Sequence, residues 1–395
     1  MTTSKNVVNQ RGQILLPKNI ELNDKHIQGL RSWSIKFVDV IQPGGTSTEE
    51  LTEERKQFLT RLIDDHFLLN RENENNPLCT ILKELLEEHL TESLVEFETM
   101  AQNDVPLEEP APAEKWLTVN HLVVNSKTLP SIPEMHRKII GTMNRPDASI
   151  SEVSTVAALD ASLSARLIKM ANSAYYGSNH QITSVAKAGS MVGIEDLKTF
   201  VKDTPVLTQF SDDEVMNADM YSMWRHNLAV SIFARFIAQA TKHPDDEYLA
   251  LLGLLHDIGK LVIYIQVPEL YAHICRYSSQ NKLSSLKIER KVLGFYHNLV
   301  SLELLKHWNY SKITQDIVYY HHSPENAVHP REAYIIHLAD ALAHAIGFTG
   351  QRCAVLPAVH PDTLNALGLK KKMLHGIIAQ AQQRIADTTH TVMYN

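Results

Sequence analysis

Apolar residues recur at spacings of three and four along most of this chain, the pattern of helices with one buried face. From about Trp116 onward the pattern covers 150–170, 223–240, 248–265, 286–308, 313–320 and 334–346, and strand-like alternation is nearly absent. Two further helical stretches are predicted at 48–69 and 78–99, joined by a polar loop at 70–77. Ahead of them, Gln13 to Pro17 reads as a short strand, and 25–33 as a helix capped by Asn23 or Asp24. Ile35 to Ile41 reads as a second strand, ended by Pro43-Gly44-Gly45. A strand–helix–strand unit this small has no core of its own. Residues 101–113, rich in Pro, Glu and Ala, read as an exposed linker. The expected fold is mainly α, with a small α/β adaptor module at 1–45, a helical segment and linker at 46–115, and a helical domain at 116–395.

Composition narrows the class. A chain of 395 residues has room for two or more cores, and 44% hydrophobic with 21% charged residues is ordinary for a soluble protein. No unbroken apolar run reaches the roughly 18 residues of a membrane span. The opening residues, Met1 to Asn6, lack the apolar centre of a signal peptide. Cys79, Cys275 and Cys353 are few, odd in number and far apart, which argues against a disulfide framework and fits a reducing cytoplasm. A net charge of −7 gives no general attraction to nucleic acid.

Histidine changes the picture. The chain has 20, of which 11 fall between His226 and His344, where even spacing would place about six. The excess is local and points to a site. Within it, Leu255-His256-Asp257-Ile258-Gly259-Lys260 follows a nearly unbroken apolar run from Leu249. A buried carboxylate is costly unless it is paired or bound to a cation. The His256–Asp257 pair therefore suggests a metal site or a relic of one, and the alternative is a buried hydrogen-bonded pair. No P-loop, dinucleotide fingerprint, Ser or Cys nucleophile motif or Cys cluster is present.

Several ordered landmarks carry a family resemblance. They are Leu129-Pro130-Ser131-Ile132-Pro133, Asp160-Ala161-Ser162-Leu163, and Asn172-Ser173-Ala174-Tyr175-Tyr176-Gly177. Next come Ile182-Thr183-Ser184-Val185 with Ala188 and Gly193, then Trp224-Arg225-His226-Asn227, the His256–Asp257 segment, and Trp308 with His321-His322-Ser323-Pro324. Together, from Leu129 to Ile346, they resemble the HDOD domain, a helical bacterial signalling module related to HD phosphohydrolases. Ala161 stands where the family has proline, which puts the local helix start in question. Pro130 and Pro133 fit an extended entry into a helix, Gly177 a left-handed helix end, and Asn172 a backbone-bonded helix end. Residues 13–41 also look like the short modules that precede HD-GYP and HDOD domains.

The resemblance implies a metal constellation, because HD-type hydrolases bind divalent ions in a helical bundle. Their ligand order can be filled by His226, His256, Asp257, His297, His321 or His322, and Asp340. Such a mixture suits Fe, Mn or Zn without choosing among them. If the protein hydrolyses a phosphoester, Asp257 and Lys260 are the expected catalytic residues, with Lys260 holding a phosphate. Against catalysis, HDOD domains are regarded as HD relatives that have lost it. In addition, Ser323 to Pro330 lacks the glycine-tyrosine-proline signature of HD-GYP enzymes. His243, His273, His307, His329, His337 and His344 are expected at the surface or in packing, with His337 able to support a ligand from behind. The expected function is that of a cytoplasmic bacterial signalling or regulatory protein that binds a protein partner or small ligand, with any bound metal in a structural or sensing role. The alternative is a metal-dependent phosphohydrolase acting on a nucleotide or other phosphoester.

Overall fold

The computed structural model describes residues 2–3, 7–8, 14–16, 26, 40–41, 52–94, 97–98, 106–126, 129–176, 181–205, 214–350 and 355–394. Near the N-terminus, β1 (Thr2–Thr3) pairs antiparallel with β4 (Val40–Ile41), and β2 (Val7–Val8) with β3 (Ile14–Leu16). β3 and β4 fall within the two predicted strands, and residues 13, 17 and 35–39 of those predictions lie outside the described residues. The helix expected at 25–33 lies outside the described residues except for His26, which is helical. Gly177 also lies outside them.

The described remainder is helical. α1 (Glu53–His66) and α2 (Pro77–Glu92) come first, followed by α3 (Val119–Asn125), α4 (Pro133–Met143), α5 (Ile150–Ala157) and α6 (Ala161–Ala171). Next are α7 (Val185–Val192), α8 (Ile194–Lys202), α9 (Glu214–Ala240), α10 (Asp246–Leu255), α11 (Ile258–Gln266) and α12 (Pro268–Gln280). The chain continues through α13 (Ser285–Leu293), α14 (His297–His307), α15 (Lys312–Tyr320), α16 (Pro330–Ala345), α17 (Thr363–Leu367) and α18 (Lys371–Tyr394). α9 is the organising helix and packs on α10, α16 and α18, while α11 packs on α14.

Local chemistry explains where these helices start. Thr52 caps α1 by accepting the Arg55 N–H, and Asn76 caps α2 ahead of Pro77 at the first helical position. Pro133 opens α4 in the same way. Asp160 caps α6, accepting the Leu163 N–H at 2.9 Å and the Ser131 hydroxyl at 2.8 Å, so alanine at 161 costs the helix start nothing. Asn172 closes α6 by exchanging two bonds with the Ile182 backbone.

Among the described residues a large apolar core runs beside a smaller cluster of Ile132, Met135, Trp224, Leu228 and Val392. The large core includes Leu59 and Ile63 of α1, Leu78 and Leu82 of α2, and continues to Ile385 of α18. Residues 106–113 lie extended rather than wholly exposed. Ala113 N–H donates to Val292 O at 2.7 Å, Leu107 N–H donates to Gln280 Oε1, and Pro110 is buried. A segment broken by Pro106, Pro110 and Pro112 still has backbone groups to satisfy, and α12 and α13 supply partners for some of them. Asp246–Gln266 is long and apolar enough to cross a membrane by length and composition, but 78% of its most apolar window is buried in the fold. That stretch is also split, because α10 ends at Leu255 and α11 begins at Ile258.

Candidate metal centre

The break between α10 and α11 creates the site. Asp257 takes the N-cap position of α11, yet its carboxylate makes no cap bond and is turned to other partners. Two glycines flank it. A Cβ on Gly253 would meet the Val230 carbonyl at 2.9 Å, so α10 lies against α9 at close range. A Cβ on Gly259 would meet the His297 carbonyl at 2.1 Å, so α11 lies closer still to α14. These contacts bring His226 of α9 and His297 of α14 to the His256–Asp257 corner from two directions.

Seven sequence-predicted residues converge there. His226 Nε2 lies 3.2 Å from His256 Nε2, 3.5 Å from Asp257 Oδ2 and 3.3 Å from Asp340 Oδ1. His297 Nε2 lies 3.1 Å from Asp257 Oδ1 and 3.2 Å from His322 Nε2, and His321 Nε2 lies 3.7 Å from Asp257 Oδ1. Both His321 and His322 face the cluster, so the choice between them dissolves. Lys260 Nζ donates to Asp257 Oδ2 at 2.6 Å. Of these residues, His226, His256, Asp257, His297, His321 and Asp340 are buried.

The orientation of the imidazoles decides what the cluster can hold. His226 Nδ1 bonds Phe348 O at 2.7 Å, His256 Nδ1 bonds Gly253 O at 2.7 Å, and His321 Nδ1 bonds Val318 O at 2.6 Å. His297 Nδ1 bonds the Glu289 carboxylate at 2.8 Å. A carbonyl or carboxylate accepts only, so each Nδ1 carries the proton and each Nε2 of a neutral ring presents a lone pair. Lone pairs then face one another and two carboxylates at short range, which is repulsive unless a cation lies between them. Asp257 Oδ1, His321 Nε2 and Asp340 Oδ1 are buried without a hydrogen-bond partner. Outward-bonded Nδ1 with inward Nε2 is the arrangement of metal-ligating histidine. The donors fall into groups that could hold ions: Asp257 with His297, His321 and His322, His226 with His256 and Asp257, and His226 with Asp340 and His344.

The electrostatics agree. Burial opposes charge on His226, but the carboxylates of Asp257 and Asp340 outweigh it and hold its pKa up at about 9. Burial likewise opposes charge on His297, and Glu289 reverses the balance to raise it to about 8. Burial and the neighbouring His256 push His321 down to about 3, and burial beside His321 lowers His322 strongly. Burial would raise both carboxyls, yet His256 and Lys260 hold Asp257, and His344 and His226 hold Asp340, well below the usual range. The cluster thus demands positive charge, supplied by protons or by metal.

Two contributors escaped the sequence reading. Glu289 is buried and accepts from the Tyr271 hydroxyl, the His297 N–H and His297 Nδ1. His344, expected in packing, has Nδ1 3.0 Å from Asp340 Oδ1. Its spacing of four from Asp340 on α16 was the available signal. His337 stands behind the cluster, with Nδ1 donating to His321 O and Nε2 accepting the His360 N–H. A cavity of about 110 Å³ reaches the cluster and is lined by Asp257, Asp340, Lys260, His322, Ser284 and Ser285 among others.

The HDOD domain family matches residues 129–324. An uncharacterized protein of Treponema pallidum (strain Nichols) is 23% identical over 269 residues, which are 67% of this chain and 49% of that protein. The chain thus spans about half the length of that curated relative. A virulence factor of Campylobacter jejuni superposes with a TM-score of 0.52 at 16% identity, covering 69% of this chain and 98% of its own. The MmoQ response regulator of Methylococcus capsulatus does so with a TM-score of 0.50 at 20% identity, covering 64% and 99%. At these identities the two likenesses establish the helical fold alone.

Proposed function

We propose that this chain, which the HDOD domain family matches over residues 129–324, is a bacterial signal-transduction or regulatory protein whose bundle acts through bound divalent metal. The observation that carries this reading is the convergence of imidazole Nε2 atoms on Asp257 and Asp340, with Nδ1 of His226, His256, His297 and His321 tied outward. Asp257 and His226 each belong to two of the three ligand groups, so these residues would hold the metal, and more than one divalent ion could be accommodated. Mixed imidazole and carboxylate donors suit Fe, Mn or Zn. A protein partner or small ligand would read the loaded state. Cys79 and Cys275 are buried and neither forms a disulfide among the described residues, which supports a reducing compartment such as the cytoplasm.

A second reading, a metal-dependent phosphohydrolase, is favoured by the cavity that reaches Asp257, Asp340 and Lys260. Bound divalent ions supply Lewis acidity there. Lys260 would orient an anionic substrate, and Glu289 would keep His297 in one tautomer. Turnover separates the readings. Metal-loaded protein is assayed against phosphomonoesters and nucleotides beside a His256→Ala, Asp257→Ala variant. Phosphate release no greater than the variant's supports the regulator, and release lost in the variant transfers the assignment to the hydrolase.

A further inference from the structure

We propose that the α1–α2 hairpin is an inhibitory cap on the histidine–aspartate cluster, closing the cavity that leads to it until the hairpin is displaced. Both sides of this contact lie outside the residues 129–324 that the family matches. The cluster forms one side of the cavity, with Asp257, His322 and Asp340. Across from it stand Leu69, between α1 and α2, and Val355 and Pro357, past α16. Residues 355–359 form neither helix nor strand, so their backbone groups need partners from elsewhere. The hairpin supplies them. Leu356 N–H donates to His66 O at 2.8 Å, and Val359 N–H donates to Asn70 Oδ1 at 2.8 Å. Asn70 Nδ2 donates to Pro357 O at 3.0 Å, and Asn76 Nδ2 to Pro361 O at 2.7 Å. Asn70 is fully buried in this seam.

A second contact reaches a residue of the cluster. The His89 ring of α2 lies against Gly347, where a Cβ would stand 2.3 Å from it and where φ is +88°. The next carbonyl, that of Phe348, is the partner of His226 Nδ1 at 2.7 Å. A Cβ on Gly350 would stand 3.2 Å from the His226 ring. The turn that orients His226 is therefore backed by the hairpin. Displacing the hairpin would strip partners from 356–359 and backing from 347–350, so one wall of the cavity would loosen. With the hairpin in place the cavity is about 110 Å³, well under the roughly 300 Å³ of the smallest ligand pockets. Anything larger than an ion or a few waters must wait for opening. The cap rests on the metal reading only for what it covers.

The test uses the full chain and two matched variants. Asn70→Ala removes two bonds across the seam. Asn172→Ala removes the corresponding pair between α6 and the Ile182 backbone, neither of which lines the cavity. Amide hydrogen exchange is followed on metal-free protein at Leu356, whose acceptor His66 O neither substitution alters, and at Val230 inside α9 as the reference. In the parent, Leu356 is expected to exchange at least about tenfold faster than Val230, because the hairpin opens without global unfolding. Asn70→Ala should widen that ratio by about tenfold, and Asn172→Ala should leave it unchanged. Leu356 exchanging only as fast as Val230, in parent and Asn70→Ala alike, overturns the cap. Transfer of Zn²⁺ from loaded protein to a coloured chelator is expected about tenfold faster in Asn70→Ala than in Asn172→Ala. Equal transfer rates overturn control of access by the hairpin. A chain that takes up no Zn²⁺ overturns the metal reading, and the exchange result, read without metal, still decides whether the hairpin opens over the cavity.

Discussion

Each imidazole at the centre is held through the nitrogen that faces away from it. For His297 the holder is Glu289, whose carboxylate receives both the backbone N–H and Nδ1 of that residue. Glu289→Gln weakens this grip while keeping the shape. It is expected to lower metal affinity about 10- to 100-fold in a chelator competition, with helix content unchanged by circular dichroism. Asp160, far along the chain in the α6 cap, supplies a pH prediction. Burial raises its pKa from 3.8 to about 6 despite bonds from Leu163 and Ser131. A carboxyl raised on folding favours the fold below its unfolded pKa, and that benefit is lost as pH rises through the folded value. Asp160→Asn keeps an acceptor for the Leu163 N–H without the charge. Its gain in urea stability should grow from about pH 4 to about pH 6, then stay level at about 1–3 kcal/mol. A gain independent of pH would contradict the assignment. At this scale the clustering of His226, His256, Asp257, His297, His321, His322 and Asp340 was legible through the ligand order that the family resemblance implies. Glu289 was not, because Ser285 to Leu293 reads as an ordinary amphipathic helix, and its burial comes only from packing against α12 and α14.

Helix boundaries were the harder level. Apolar periodicity joins 248–265 into one helix, 150–170 into another and 286–308 into a third, whereas the chain breaks at His256–Asp257, around Asp160 and at Gly294–Tyr296. Both halves of each run are apolar, so the pattern carries no mark of the corner. The stronger signal is Gly253 and Gly259 on either side of the His256–Asp257 pair. Gly259→Ala would place a Cβ 2.1 Å from the His297 carbonyl, which no flexible side chain can relieve. It should cost about 3 kcal/mol or more in denaturant unfolding and reduce metal uptake. Gly141→Ala, in α4 with open space around it, is the contrasting case and should stabilise by about 0.4–1 kcal/mol. Similar costs for the two would remove the close approach of α11 and α14 from the account.

At the scale of the whole molecule, the match to residues 129–324 is narrower than the cooperative unit. Asp340 and His344 lie on α16, beyond it, and α9 is covered by α16 and α18. A fragment limited to 129–324 is therefore expected to lack fixed tertiary packing in near-ultraviolet circular dichroism, where the full chain shows it. The buried carboxylates also tie global stability to occupancy, since an ion that binds only the folded state stabilises it by mass action. Chelation should lower the thermal midpoint of the parent and leave that of His256→Ala, Asp257→Ala unmoved. The central claim, that this histidine–aspartate cluster is a metal centre, is tested most directly by elemental mass spectrometry of the purified full chain beside that double variant. The account predicts at least one and about two transition-metal ions per chain in the parent, absent from the variant. A parent that stays metal-free after reducing, metal-supplemented preparation would contradict it.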